Sequence, residues 1–216
     1  AKGASVLKQL QAYVGRNNFL AGVRRHFAAH AWGNATFDDL LRHLEEASGR
    51  DLSFWAQQWL KTSGINTLSV ALNADESGNI THAYLTQSGD TLRTHRVAVG
   101  LYNLQDGKVV RTDRIEMDID DASTEIPELI GRQLADIDFL LPNDDDLTYC
   151  LIELDPGSLQ FLLDNIDKFA DPMARTLCWS TAWEMTRAGT MRARDFIQLV
   201  ARGMQAEAEL AVLERI

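Results

Sequence analysis

The hydrophobic period of this chain switches at Gly64, and that switch constrains the fold more than any other feature. Upstream, apolar residues recur every three to four positions. Val6, Leu7, Leu10 and Val14 mark an opening helix, and Phe19, Leu20, Val23 and Phe27 mark a second after the turn "GRNN". Thr36 with Asp39 three residues on predicts a capping box, starting a third helix that carries Leu40, Leu41 and Leu44 and stops at Gly49. A fourth helix begins after Asp51 with Leu52, Trp55 and Trp59. Beyond Gly64 the apolar residues alternate in "LSVAL", "HRVAVGLY" and "RIEMDI", with turn chemistry between them at "DESGN", "SGD" and "QDGK". No helical pattern separates these strands, so a small antiparallel β-sandwich is expected rather than parallel βαβ units. It should end near "FLLPN". After Pro142, "TYCLIEL" reads as one last strand. Helical spacing then returns with Leu159, Leu162, Leu163 and Ile166, and runs through "DPMARTLCWSTAWEMTRAG", where Pro172 marks a start and Gly189 an end, and "ARDFIQLVARGM". The chain is therefore expected to be an α+β multidomain protein: helices over 1–63, a sandwich over 64–142 and helices again over 143–216.

The 45% hydrophobic content supplies enough material for a core. No apolar run approaches the ~20 residues of a membrane-spanning helix, and no signal-peptide pattern opens the chain, so no membrane partner is expected. Cys150 and Cys178 stand apart without a Cys/His cluster, which suits a reduced, cytoplasmic location. A net charge of −10 argues against nucleic acid. The acidity is local. Between Asp113 and Asp155 fourteen acidic residues face two arginines, whereas residues 1–63 hold eight basic and five acidic ones. Such a run reads as a solvated face. Its densest part, Asp144, Asp145 and Asp146, lacks the ligand spacing of a calcium-binding loop.

His26 and His30, four apart in "HFAAH", have the spacing by which one helix presents two imidazoles to a zinc ion. Phe27 stands where a zinc peptidase needs Glu after the first His, and a third ligand is not evident, since Glu45 and Glu46 lie on the next helix. The pair therefore reads as surface or partly packed histidines; His43, His82 and His95 are isolated in sequence. Nucleophile elbows and phosphate-binding loops are missing. The i, i+4 pairs Trp55/Trp59 and Trp179/Trp183 read as core ridges, with ligand stacking as the alternative. From the residues alone no catalytic or metal-ligating residue is named and any substrate-binding residues stay open. A noncatalytic module that binds a protein partner through its acidic patch or helix faces fits equally well.

"KGASVL" resembles a signature of the aminopeptidase N family of gluzincin-type zinc metallopeptidases, in which a Tyr-x-Lys-Gly stretch begins a helix of the thermolysin-like catalytic domain. The stretch from "YVGRNNFL" to "WLKTSG" resembles the remainder of that domain. "LLPNDDDLTYCLIELD" resembles the junction between the family's β-sandwich and its C-terminal armadillo/HEAT-like array, and "DPMARTLCWSTAWEMTRAG" an early helix of that array in its actinobacterial form. The resemblance covers the whole chain. It implies a zinc-dependent aminopeptidase releasing N-terminal residues from peptides. It also implies that this chain is a fragment, cut within helices at both ends. The family's HExxH, downstream Glu and Gly-x-Met-Glu-Asn motifs do not occur here. The family's catalytic Tyr, which steadies the oxyanion, would lie one position before Ala1. Lys2 is expected to be structural. No zinc is expected on this chain alone, and the chain alone is expected to be inactive.

Overall fold

The structure is a computed structural model that describes residues 2–207, the side chain of Lys2 excepted. The expected role of Lys2 and the expected cut within a helix at the C-terminal end lie outside what is described. Four helices come first: α1 (Lys2–Val14), α2 (Arg16–Ala29), α3 (Phe37–Ser48) and α4 (Ser53–Leu60). Seven strands follow: β1 (Asn66–Ala74), β2 (Ile80–Ser88), β3 (His95–Gln105), β4 (Lys108–Ile119), β5 (Ser123–Glu125), β6 (Phe139–Pro142) and β7 (Cys150–Ile152). The described part closes with α5 (Pro156–Asn165), α6 (Pro172–Ala188) and α7 (Ala193–Gly203). Among the described residues no helix is long and apolar enough to cross a membrane.

Local chemistry sets several of these boundaries. Thr36 Oγ1 accepts from the Asp39 N–H at 3.2 Å and Asp39 Oδ2 accepts from the Thr36 N–H at 3.0 Å, which completes the capping box of α3. Asp171 caps α6 through the Met173 N–H at 2.9 Å, and Pro172 fills the first turn, where a backbone donor is not needed.

The strands form two open sheets, ordered β5-β2-β1-β7 and β4-β3-β6. Leu68, Val70, Leu85, Val97, Val99, Ile115 and Leu140 from both sheets share one buried cluster. One pairing departs from the expected antiparallel arrangement: β7 runs parallel to β1, with Asn66, Thr67 and Leu68 opposite Cys150, Leu151 and Ile152. A parallel pair needs a long connection, and the excursion from β2 through β6 supplies it. The last strand of "TYCLIEL" therefore lies within the first sheet, beyond the boundary expected at Pro142.

Two further cores flank this one. Val6, Leu10, Leu41, Leu44, Leu52, Trp55 and Trp59 close the first four helices. Tyr102 and Phe139 join Leu162, Ile166, Cys178, Trp179 and Leu199 beneath α5, α6 and α7. The middle of β3, from Val97 to Tyr102, is buried throughout, which explains the unbroken apolar run in "HRVAVGLY".

The acidic run is not simply a solvated face. Asp144 is 1% exposed. Its carboxylate accepts from the Tyr102 hydroxyl and from Arg111 Nη1, each at 2.6 Å. Arg111 also donates to Asp145, as does Arg114 Nε at 2.8 Å, and Lys8 on α1 donates to the Asp145 carbonyl at 2.9 Å. Gly100 makes room for this turn, because a Cβ there would lie 2.7 Å from the Asp144 carboxylate. Sequence spacing could not show that two arginines on β4 reach across to neutralise it. Burial and the neighbouring Asp144 carboxylate hold the proton on the Tyr102 phenol.

Candidate functional site

Helices α2 and α3 touch at Gly22. A Cβ there would lie 2.7 Å from Leu44 Cδ2 and 2.9 Å from the His43 carbonyl oxygen, so only glycine permits this approach. His26 and His30 follow Gly22 at four-residue steps, His30 as the residue that caps the C-terminal end of α2. His43, next to Leu44, meets them from α3. One ring nitrogen from each histidine lies within 4.8 Å of one from each of the others. The ring centroids are 5.0 Å apart for His26 and His30, 5.6 Å for His26 and His43, and 5.8 Å for His30 and His43.

The hydrogen bonds leave this trio undersatisfied. His43 Nδ1 lies 2.7 Å from the Asp39 carbonyl oxygen. A carbonyl only accepts, so Nδ1 carries the proton and Nε2 keeps its lone pair. His26 Nδ1 and His30 Nε2 are buried without a hydrogen-bond partner among the described residues. The sequence reads His26 and His30 as packed or surface histidines and offers no third ligand; the structure supplies His43 through the pairing of two helices. Glu45, the acid considered for that place, instead accepts from the Leu52 N–H at 2.7 Å at the start of α4.

Other residues singled out in the sequence have packing roles. Trp55 and Trp59 are buried with ring centroids 6.2 Å apart, and Trp59 Nε1 donates to the Thr94 carbonyl at 2.9 Å. The second tryptophan pair divides: Trp179 is buried and donates to Glu207 Oε2 at 3.0 Å, whereas Trp183 is half exposed against Phe196. His82 lies on the surface of β2, and His95 is buried at the start of β3. Cys150 and Cys178 are free, and burial pushes both thiols up, away from the reactive thiolate. A recess beside β1 and α5 contains Asp138, Glu153 and Asp155. Asp155 caps α5 through the Gly157 and Ser158 N–H groups, and Asp138 accepts from the Leu104 N–H. Those two carboxylates are thus committed to local structure.

The Peptidase family M1 domain matches residues 1–59, and the ERAP1-like C-terminal domain matches residues 139–216. Aminopeptidase N of Streptomyces lividans is 43% identical over 227 residues, an alignment that takes in 100% of this chain and 26% of that protein. The chain belongs to the aminopeptidase N family. Other similarities are shorter. Probable M1 family aminopeptidase 1 of Encephalitozoon cuniculi is 35% identical over 69 residues, 32% of this chain and 8% of that protein. Tricorn protease-interacting factor F2 of Thermoplasma volcanium is also 35% identical over 69 residues, 32% of this chain and 9% of that protein. This member of the aminopeptidase N family therefore spans about a quarter of the length of the Streptomyces protein it matches.

The zinc set that the resemblance implies, HExxH with a downstream Glu, does not fit the residues present. Phe27 occupies the place of the glutamate base and is 70% exposed, and the third member of the cluster is an imidazole rather than a carboxylate. No hydrolytic step is assigned to the trio.

Proposed function

We propose that this chain is part of a zinc-dependent aminopeptidase, of the membrane-alanyl type, that releases N-terminal residues from peptides. The 43% identity to aminopeptidase N along the full length of the chain carries this reading. On it, residues 1–63 are the closing helices of a thermolysin-like catalytic domain, 64–142 a β-sandwich and 143–216 the opening of an armadillo/HEAT-like array. Peptides are the partners, nucleic acid and membrane are not, and the location is cytoplasmic, which suits two unpaired cysteines.

The chain's own contribution is positional. Hydrogen bonds tie the helical part to the sheets: Trp59 Nε1 holds the Thr94 carbonyl, and Arg93 reaches back to the end of α4. A framework of this kind holds the closing catalytic helices in one orientation relative to the array. Exposed aromatic side chains on the helical part, Phe27, Trp32 and Phe54, suit a surface that packs against further structure.

The 216-residue chain alone should not hydrolyse aminoacyl-coumarin substrates with zinc added, because the family's zinc and amino-group motifs are missing from it. The full-length product of the same gene should hydrolyse them and release single residues from a peptide with a free N-terminus. Turnover by the chain above a zinc-only control would overturn its assigned inactivity. A folded full-length product without turnover would overturn the aminopeptidase reading and favour a noncatalytic interaction module.

A further inference from the structure

We propose that His26, His30 and His43 form a binding site for one divalent transition-metal ion, zinc foremost, that staples α2 to α3. This site is separate from the catalytic zinc expected elsewhere in the family, and its test does not depend on hydrolysis.

Three observations converge on it. The first is placement: two imidazoles four residues apart, one on α2 and one at its C-cap, and a third on α3 bring one nitrogen each within 4.8 Å of the others. Tetrahedral zinc with Zn–N bonds of about 2.0 Å needs those nitrogens roughly 3.3 Å apart. Modest side-chain rotation closes that gap, since His26 and His30 are only half-buried. The second is protonation. The Asp39 carbonyl fixes the proton of His43 on Nδ1 and so turns the lone pair of Nε2 outward, the usual way in which a backbone acceptor prepares a histidine ligand. The third is the lack of any other satisfaction: His26 Nδ1 and His30 Nε2 are buried without partners among the described residues. Ring packing alone accounts for the edge-on centroid distances, but it leaves these nitrogens desolvated and unpaired, which is costly.

The scaffold is suitably rigid. Gly22 sets the spacing of the helices one turn before His26, and the Thr36–Asp39 capping box fixes the first turn of α3, with Asp39 four residues before His43. The Asp39 carboxylate sits close enough to His30 to interact electrostatically, which offsets part of an ion's charge. Three neutral imidazoles without a carboxylate select zinc, cobalt, nickel or copper over calcium or magnesium. Water would complete a fourth position, as at other three-histidine sites.

The test uses the untagged 216-residue chain. Titration with cobalt should saturate at one ion per chain with the intense visible absorption of a tetrahedral nitrogen-rich site, and zinc should displace it and raise the thermal midpoint. A pale octahedral spectrum, or uptake that does not saturate at one equivalent, would overturn the proposal without any variant. His43→Phe and His30→Phe keep an aromatic ring in the cluster and remove the ligand. Each should weaken cobalt and zinc binding at least ~10-fold and abolish the zinc-dependent thermal shift, while His82→Phe on β2 leaves both unchanged. Unaltered binding in a folded His43→Phe or His30→Phe chain would show that the trio is aromatic packing only.

Discussion

His95, the first residue of β3, has both ring nitrogens engaged. Nδ1 lies 2.7 Å from Thr148 Oγ1, and Nε2 lies 3.1 Å from Gln87 Oε1. Because Gln87 Oε1 also accepts the Arg93 N–H at 2.7 Å, it is an acceptor, so Nε2 carries the proton and Nδ1 accepts from the Thr148 hydroxyl. A second proton would face Arg93 in a buried site beside the Trp59 ring, 5.0 Å away. Burial first, and then the Arg93 charge, lower the pKa of His95 from 6.5 to about 3. In the unfolded chain the ring titrates normally. Between those two values the unfolded state binds the extra proton, so stability is complete above the unfolded value and is lost as pH falls through the window. From about pH 7.5 to about pH 5, this one group should remove about 2 kcal/mol. Urea unfolding of the chain and of His95→Gln at both pH values checks it: the variant should show the shallower pH dependence by that amount, and equal dependence would refute the assignment. His95 was isolated in the sequence, and nothing in its neighbours there showed that a loop and the turn after β6 would enclose it.

At the scale of elements, the contact between α2 and α3 reverses an ordinary expectation. Replacing a helical glycine by alanine normally gains up to ~1 kcal/mol. At Gly22 the new Cβ would meet the His43 carbonyl oxygen at 2.9 Å and the Leu44 Cα at 3.0 Å, both backbone atoms that move only if the helices part. Gly22→Ala should therefore destabilise the chain by roughly 1–2 kcal/mol and weaken metal binding at the histidine trio. Gly3→Ala on α1, where nothing lies within 4 Å of the added atom, should be neutral or slightly stabilising. Chemical denaturation ranks the two, and a stabilising Gly22→Ala would show that the helices have room to spare. What the sequence made legible about these elements was local. The change of period at Gly64, the Thr36 cap and the Pro172 and Gly189 limits of α6 are each contained within a few residues. The parallel seat of β7, the burial of Asp144 and the arrival of His43 beside His26 and His30 depend on which elements meet across long separations, and hydrophobic spacing carries no such information. Of the histidine trio only the i, i+4 pair stood out in the sequence, and it read there as surface or partly packed histidines, because the pair is a local pattern and the arrival of the third member is not.

Over the whole molecule, polar side chains bolt the helical part to the sheets, and Arg93, only 2% exposed, is one of them. Its guanidinium donates to the Gln58 carbonyl at 3.1 Å, Asn66 Oδ1 at 2.9 Å, Thr62 Oγ1 at 2.8 Å and the Ser63 carbonyl at 2.6 Å. These acceptors belong to the end of α4, the connection after it and the first residue of β1, while Arg93 stands just before β3. A planar fork with five donors can serve four acceptors at once, and lysine cannot reproduce that geometry. Burial lowers the Arg93 pKa, but a guanidinium so far above neutrality stays charged. Arg93→Met retains much of the volume and takes the guanidinium donor from Asn66 Oδ1, Thr62 Oγ1 and the Ser63 carbonyl, while the Gln58 carbonyl keeps the Thr62 hydroxyl, so it should cost on the order of 3 kcal/mol. The loss should be uneven. Lys8 and the Asp144–Asp146 turn still link α1 to β4, and Trp59 and Arg50 still bond Thr94 and Asp118, so the helical part should loosen where Arg93 alone held it, at the end of α4. Native-state hydrogen exchange should then show protection falling more in α3 and α4 than in β1 to β4. A uniform fall across helices and sheets would mean that the chain unfolds as one unit and that Arg93 stabilises it globally, whereas unchanged protection in α4 would mean that the Trp55 and Trp59 core holds the helices in place without this bolt.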